Sequence, residues 1–321
     1  MNRQSQDRAR RAVLLFSGGL DSLLALEALR RAGIEVTVLI CDSVFSPPGE
    51  RHAPPGATAC LRRDVSRAQI ELIKAPRYGL GKNANPCLDC KEMMYGLAWR
   101  EAQRLGAQFI ATGEVLGQRP MSQRREALAR MEKGAGVVGR VVRPLSGKLL
   151  PPTLAEEEEL VDREDLLDIS GRSRKRQMAL AAEWAIRDYP TPAGGCKLTD
   201  PQYGARVLHL LRGHALTVGN AKLVRHGRLF GLGDGAFLVL GRNHEDNQGL
   251  LRDAPDGCRA LELTGRPGPL GCLLGRADGE QEEEAKRLVV QHSRFRELPA
   301  SEVTACTIDM MRQTKAGHGV P

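Results

Sequence analysis

Apolar positions in the first half of the chain alternate between two periods. AVLLF (12–16) is a short unbroken apolar run, the pattern of a buried strand. Between Ser22 and Arg31, Leu23, Leu26 and Leu29 fall on one helical face, and Gly33 marks the stop. EVTVLICD (35–42), rich in β-branched residues, reads as a second strand, and QIELIKAP (69–76) as a third. Lys91 to Leu105 reads as a long helix, AQFIAT (107–112) as a fourth strand and VGRVVRPL (138–145) as a fifth. Strands separated by helices predict a parallel α/β sheet.

The intervening stretches read as loops. FSPPGERHAPPGATAC (45–60) is rich in Pro and Gly, and GEVLGQRPMSQRRE (113–126) leaves the fourth strand directly. Ligands of open α/β sheets bind at the carboxyl ends of strands, which places both loops where chemistry is expected. After residue 150 the pattern changes. LAEEEELVDREDLLDI (154–169) and RKRQMALAAEWAIRDY (174–189) read as helices, and YPTPAGGCKLTDP (189–201) as a connector. From Ala205 onward, short β-like runs are broken by HGR, GDG and GRN turns, which predicts a smaller α+β domain. The expected division is 1–195 and 196–321.

Composition narrows the function. Of 321 residues, 41% are hydrophobic, enough for a core, whereas aromatics at 4% argue against a base-stacking surface. The formal charge of +8 points to an anionic partner such as nucleic acid, although many soluble proteins are mildly basic without one. From 201 to 321 there are 16 Lys+Arg and 14 Asp+Glu, a net of +2, so +6 of the +8 lies in the first 200 residues. No apolar run is long enough to span a bilayer, and the apolar stretch near the N-terminus is too short for a signal peptide. A cytoplasmic protein is expected, and its eight cysteines are then core residues, metal ligands or catalytic thiols rather than a disulfide framework.

Three stretches carry candidate chemistry. In AVLLFSGGLDS the turn from strand to helix is Ser17, Gly18, Gly19, Leu20, Asp21 and Ser22. Two glycines let the backbone approach an anion, the helix N-terminus favours phosphate, and Ser17 and Ser22 add hydroxyls. Asp21 is a magnesium or nucleotide-positioning carboxylate. No G-x-x-x-x-G-K-[ST] is present, so this is not a Walker loop. The second stretch is NPCLDCK, in which Cys87 and Cys90 stand at C-x-x-C spacing. The pair is open to reading as a zinc half-site, a redox dithiol, two cluster ligands or an inert pair. Zinc needs a fourth soft ligand, and no second C-x-x-C exists. The third is GRSRKRQ (171–177), with Arg172, Arg174, Lys175 and Arg176, which is either a backbone-phosphate contact or a solvated helix end. Arg143 is open between a phosphate contact and a surface cation.

SGGLDS closely resembles the PP-loop of the ATP pyrophosphatases, or adenine nucleotide alpha hydrolases, which adenylate a substrate oxygen. Within that family, NPCLDCK followed by a helix and GAQFIATGEVLGQ is similar to the tRNA thiouridine synthetases. T-G-E-V-L-G-Q-R-P-M-S-Q (112–123) and V-R-P-L (142–145) look most like the 4-thiouridine synthetase branch. The resemblance covers roughly residues 10 to 190. It implies a HUP-like parallel-sheet domain that binds ATP and Mg2+ at Ser17, Gly18, Gly19, Asp21, Ser22, Glu114 and Gln118. It also implies a tRNA substrate, a sulfide or persulfide donor, and adenylation of a uracil oxygen followed by displacement with sulfur. Some thiolation enzymes hold a [4Fe–4S] cluster on C-x-x-C plus a distant cysteine; Cys87, Cys90 and Cys196 match that set, with one iron open for sulfide. Others use two catalytic cysteines, one carrying a persulfide.

The chain departs from the branch in showing no N-terminal RNA-binding extension and no C-terminal sulfur-carrier domain. LVLGRNHEDNQGL (238–250) resembles the RNA-binding domain of NFACT-type proteins, with Gly241, Arg242, Asn243 and Asn247 matching; by that resemblance Arg242 and Asn243 bind RNA. The alternative is a small module for homodimerisation or for covering the active site. Two other functions remain open at this point: a PP-loop amide or nitrile synthetase acting on a small molecule, and a non-catalytic RNA-binding protein.

Overall fold

A computed structural model describes residues 9–46, 52–190 and 195–317. Parts of the 45–60 loop and of the 189–201 connector lie outside them. The chain forms two compact units, one of Met1–Gly81 with Pro86–Gly195 and one of Lys82–Asn85 with Cys196–Pro321. Among the described residues, no helix is long and apolar enough to cross a membrane.

The first unit is built on five strands: β1 (Arg11–Leu15), β2 (Glu35–Asp42), β3 (Ala59–Asp64), β4 (Phe109–Thr112) and β5 (Val141–Val142). Their order is β3-β2-β1-β4-β5, and every neighbouring pair is parallel. Side chains alternate across the sheet, and both faces are covered. Ala12, Leu14, Val36, Val38, Phe109 and Ala111 pack on one face with α1 (Leu20–Arg31) and Ala181 of α6 (Lys175–Glu183). Val13, Leu39 and Ile110 pack on the other with Tyr95, Ala98 and Ala102 of α3 (Cys87–Leu105) and with Leu128 and Met131 of α4 (Arg125–Ala135). The chain runs outward from β1 to β3, then returns across the sheet to β4. Strand order therefore reverses between β1 and β4, where open sheets place their ligands.

The expected parallel sheet is present, but its third strand is not QIELIKAP. That stretch lies in helix α2 (Ser66–Lys74), with Ser66, Gln69, Ile70 and Ile73 buried at helical spacing. The strand is ACLRRD, inside and just beyond what reads as a Pro/Gly loop. It is an edge strand, and its polar residues suit it to that place: Arg62 pairs with Asp42 across the ladder at 2.9 Å, and Arg63 reaches Glu101 at 2.7 Å. The helix expected over 154–169 is also shorter, a single turn, α5 (Leu154–Glu157), started by a Thr153–Glu156 capping box. Glu159 then turns left-handed at φ 56°, which ends the helix and feeds Val161, Leu166 and Ile169 into the core instead.

The second unit is α+β. It comprises α7 (Pro201–Arg212), α8 (Val218–Leu223), β6 (Arg228–Gly233), β7 (Ala236–Leu240), α9 (His244–Asp253), β8 (Arg259–Leu263), β9 (Gly271–Leu274), α10 (Gly279–Gln291), β10 (Val303–Thr307) and α11 (Ile308–Gly317). The antiparallel sheet runs β10-β8-β9-β7-β6, and α10 packs Ala285, Val289 and Val290 onto it. In the GRNHEDN segment Arg242, Asn243, Asp246 and Asn247 all have intramolecular partners. Arg242 pairs with Asp246 at 2.6 Å, and the Asn243 side chain caps α9 by accepting from the Asp246 N–H at 2.9 Å. The Asn247 amide accepts from the Leu270 N–H at 3.0 Å and donates to the Gly268 carbonyl at 3.0 Å. Leu270 is buried, so removing its acceptor leaves an unsatisfied donor. Asn247→Ala is expected to lower stability by about 1–3 kcal/mol, measured by urea unfolding.

Candidate functional site

The loop between β1 and α1 is held by its own hydroxyls. The Ser17 Oγ accepts from the Gly19 N–H at 3.3 Å and donates to the Ser22 Oγ at 3.3 Å, and the Ser22 hydroxyl donates to the Gly19 carbonyl at 2.7 Å. Gly18 has φ +78°, a conformation that favours glycine. Gly19 is the N-cap of α1 and no side chain caps that end. The helix therefore opens on the crevice with its positive end available to an anion.

The segment leaving β4 closes against this loop. A Cβ on Gly113 would lie 2.6 Å from the Asp21 carbonyl oxygen and 2.7 Å from the Ser22 nitrogen, so glycine is what permits the approach. From the same segment the Gln118 amide donates to Asp21 Oδ2 at 3.1 Å. The Arg174 guanidinium stands 3.8 Å from that oxygen, beyond hydrogen-bond length. Asp21 Oδ1 and Arg174 Nε are buried with no partner. A lone carboxylate oxygen facing an anion-binding helix end fits a hard cation shared with phosphate oxygens.

Glu114 follows Gly113 and sits at the centre of a buried network. It accepts from the Tyr95 hydroxyl, from Thr112 Oγ1 at 3.0 Å and from Arg143 Nε at 3.3 Å, while the Lys91 ammonium lies 2.8 Å from its other oxygen. Arg143 also pairs with Glu132 at 2.6 Å. It is therefore neither a surface cation nor a free phosphate ligand, but a buried strut between β5, α4 and the β4 loop. Burial alone would raise the Glu114 pKa, but the charges of Lys91 and Arg143 outweigh it and hold the carboxyl at about 2. Burial and the neighbouring Glu114 push the Tyr95 hydroxyl well up.

Cys87 is the first residue of α3 and Cys90 lies one turn on. The helix thus starts four residues before its expected beginning, and the pair stands on its first turn rather than in the preceding one. Asp89 braces that turn by accepting from the Arg77 and Tyr78 N–H groups at 2.8 and 3.3 Å. The Gln69 amide donates to Cys90 Sγ at 3.0 Å, and its oxygen accepts from the Ser43 hydroxyl. Burial raises the Cys90 thiol pKa, with the Gln69 bond and the nearby Lys91 working against it. Lys91, next to Cys90, grips Glu114; Glu114 follows Gly113; Gly113 abuts Asp21. This short path fixes the cysteine turn relative to the phosphate loop.

Cys196 begins the second unit's main segment, where its carbonyl accepts from the Thr199 N–H at 3.0 Å and hydroxyl at 2.7 Å. Among the described residues, no group of three or more His, Cys, Asp or Glu is placed to hold a metal. Within the basic cluster, Arg172, Lys175 and Arg176 are exposed, Arg176 pairs with Asp168 at 2.6 Å, and Arg174 turns inward to Asp21. Sequence reasoning missed Lys91 and Tyr95, although 87, 91 and 95 follow one helical face. It also missed the buried Gln69.

The Glu114 network makes a stability prediction. Glu114→Gln leaves the Lys91 and Arg143 charges without their carboxylate and is expected to cost about 3–5 kcal/mol, read from denaturant unfolding. In the wild-type protein the folded-state pKa is depressed from 4.5 to about 2. The stability Glu114 contributes is therefore complete above about pH 4.5 and is lost as pH falls toward 2. The variant's unfolding free energy should lack that part of the acid dependence.

No protein-family model matches the chain. It is 34% identical over 116 residues to a probable tRNA sulfurtransferase of Methanosarcina acetivorans, covering 33% of this chain and 28% of that protein. It is 25% identical over 261 residues to the tRNA-specific 2-thiouridylase MnmA of Geotalea uraniireducens, covering 72% of this chain and 65% of that protein. The matches thus span less than two thirds of these relatives' length. A solved 4-thiouridine synthetase–RNA complex with bound ATP aligns over 55% of this chain and 52% of its own at 22% identity, with a TM-score of 0.34, a likeness too distant to build on. The sequence matches bear out the resemblance to the PP-loop tRNA-thiolation proteins. They do not bear on the NFACT-like reading of the second unit.

Proposed function

We propose that this chain, a relative of the PP-loop tRNA-thiolation proteins, is an ATP-dependent tRNA sulfurtransferase that makes a thiouridine. The observation that carries the reading is the coupling of two half-sites. An uncapped helix end with an unpartnered Asp21 oxygen is tied through Gly113, Glu114 and Lys91 to a C-x-x-C turn.

In this reading Ser17, Gly18, Gly19 and Ser22 cradle the phosphates of ATP, and Gln118 orients Asp21. Asp21 would hold a Mg2+ ion, which would supply charge neutralisation for the leaving pyrophosphate. Glu114 acts from behind the site by holding the Gly113 approach in place. The uracil carbonyl oxygen attacks the α-phosphorus, pyrophosphate leaves, and the oxygen becomes part of an AMP leaving group. A persulfide donor passes its terminal sulfur to the thiolate of Cys87 or Cys90 and leaves as a thiol; the terminal sulfur of the resulting cysteine persulfide then adds to the base carbon and AMP departs. A second cysteine thiolate breaks the sulfur–sulfur bond. This leaves the sulfur on the base and a cysteine disulfide that an external dithiol reduces. Cys87 and Cys90, on one helical turn, would alternatively serve as two thiolate ligands of a [4Fe–4S] cluster. Arg172, Lys175 and Arg176 would meet RNA phosphates, and Arg242 and Asn243 would do so in the second unit.

The test combines full-length protein with unmodified tRNA, ATP, Mg2+ and either sulfide or a persulfide donor, and reads pyrophosphate release and thiouridine by nucleoside mass analysis. Asp21→Asn is expected to lower both by about a hundredfold or more. Cys87→Ser and Cys90→Ser should abolish thiouridine while pyrophosphate release persists. An iron count and absorbance scan after anaerobic purification separate cluster from persulfide. Absence of any tRNA-dependent pyrophosphate release sinks the proposal.

A further inference from the structure

The function above uses the cysteine turn but not the side chains that grip it. Cys90 Sγ accepts from the Gln69 amide at 3.0 Å, and Gln69 is only 4% exposed. Its helix, α2, is docked on the end of β2. The Val65 N–H donates to the Asp42 carbonyl at 2.8 Å, and the Val44 N–H donates to Ser66 Oγ at 2.9 Å. Ser43, the first residue past β2, donates its hydroxyl to Gln69 Oε1, while its Oγ accepts from the Phe45 N–H at 3.0 Å. A continuous run of hydrogen bonds thus leads from the Phe45 backbone through Ser43 and Gln69 to Cys90 Sγ. It lies at the carboxyl end of β2, the side of an open sheet on which chemistry is placed.

The direction of that run matters. A carboxamide oxygen only accepts, and its nitrogen only donates. The Ser43 hydroxyl occupies the oxygen, so the N–H end is turned to the sulfur. A thiol can bond to either end of an amide, because its S–H donates and its sulfur accepts. At the stage of a persulfide or a disulfide, Cys90 Sγ carries no proton and can only accept. The orientation that Ser43 imposes therefore suits the sulfur in every form the proposed reaction gives it. The reverse orientation would leave a buried amide oxygen facing a buried sulfur with no proton between them, which is costly.

We infer that Gln69 is a positioning residue for the sulfur step, itself held in register by Ser43. Its amide fixes the direction of Cys90 Sγ, whether Cys90 carries the persulfide or breaks the sulfur–sulfur bond. Exchange at sulfur proceeds by attack of one sulfur on another, so the aim of Sγ sets how often an encounter is productive. The inference rests on the sulfur-transfer reading above and adds the pair of side chains that aims one of its thiols.

Two measurements on the full-length protein test it. The first needs no turnover. With glutamine side chains labelled with 15N, Gln69→Met assigns the Gln69 amide signal, and Cys90→Ala should shift that signal more than those of the other glutamines. An unshifted Gln69 amide overturns the inference. The second is a single turnover with unmodified tRNA, ATP, Mg2+ and glutathione persulfide. Gln69→Met, close in volume and without the N–H, should slow thiouridine formation about tenfold. The KM for the persulfide and the first-turnover release of pyrophosphate should stay as in the wild type. Ser43→Ala should slow the same step, and adding it to Gln69→Met should cost nothing further, because both act through one amide. Equal losses of pyrophosphate release and thiouridine overturn the inference, Gln69 then serving only to fasten α2 to α3. If Gln69→Met does not fold, Ser43→Ala carries the kinetic test. A wild type that releases pyrophosphate but makes no thiouridine removes the sulfur-transfer reading and the inference together, whereas a wild-type rate of thiouridine formation in Gln69→Met removes the inference alone.

Discussion

Buried charge at Glu114 organises the first unit. A carboxylate taken out of water is tolerated only when its partners are fixed around it. Here those partners come from three elements: Lys91 and Tyr95 from α3, Thr112 from β4, and Arg143 from the end of β5. Arg143 then reaches Glu132 on α4. Satisfying one carboxylate therefore sets the position of four segments at once. The residue before it, Gly113, is pressed against the Asp21 backbone. The geometry of the Ser17–Ser22 loop is in this way inherited from an ion-pair cluster behind it.

The sheet divides the chemistry. Strand order reverses between β1 and β4, and the loops leaving those strands meet over the gap. On one face α1 and α6 bring a helix N-terminus and Arg174; on the other, α3 brings Cys87 and Cys90. Under the proposed function these two faces would carry the adenylating and the sulfur-bearing groups, and the Lys91–Glu114 pair ties one to the other.

How much of this was legible beforehand varies with the kind of signal. Strands β1, β2 and β4 were readable because each is rich in apolar or β-branched residues and covered on both faces. The edge strand β3 was not, because an edge needs little apolar surface and its ACLRRD segment looks polar. The QIELIKAP helix was misread because a short apolar run carries too few turns to separate a period of two from one of 3.6. The phosphate loop was legible because backbone approach to an anion demands glycine and hydroxyl at fixed places. Gln69 was not, because an amide looks like any solvated side chain until its burial is seen.

The sequence by itself determined the chemistry available: a Ser-Gly-Gly-x-Asp-Ser turn between strand and helix, a C-x-x-C pair, and a Gly-Glu step after the AQFIAT run. These are local requirements, set by backbone conformation and side-chain type within a few residues. Only the tertiary structure decided that Arg143 is a buried strut, that Arg174 turns away from its exposed basic neighbours toward Asp21, and that Glu114 supports the site from within. Those roles depend on burial and on distant partners, such as Glu114 for Arg143 at a separation of 29 residues, and charge in a sequence carries no sign of whether water will reach it.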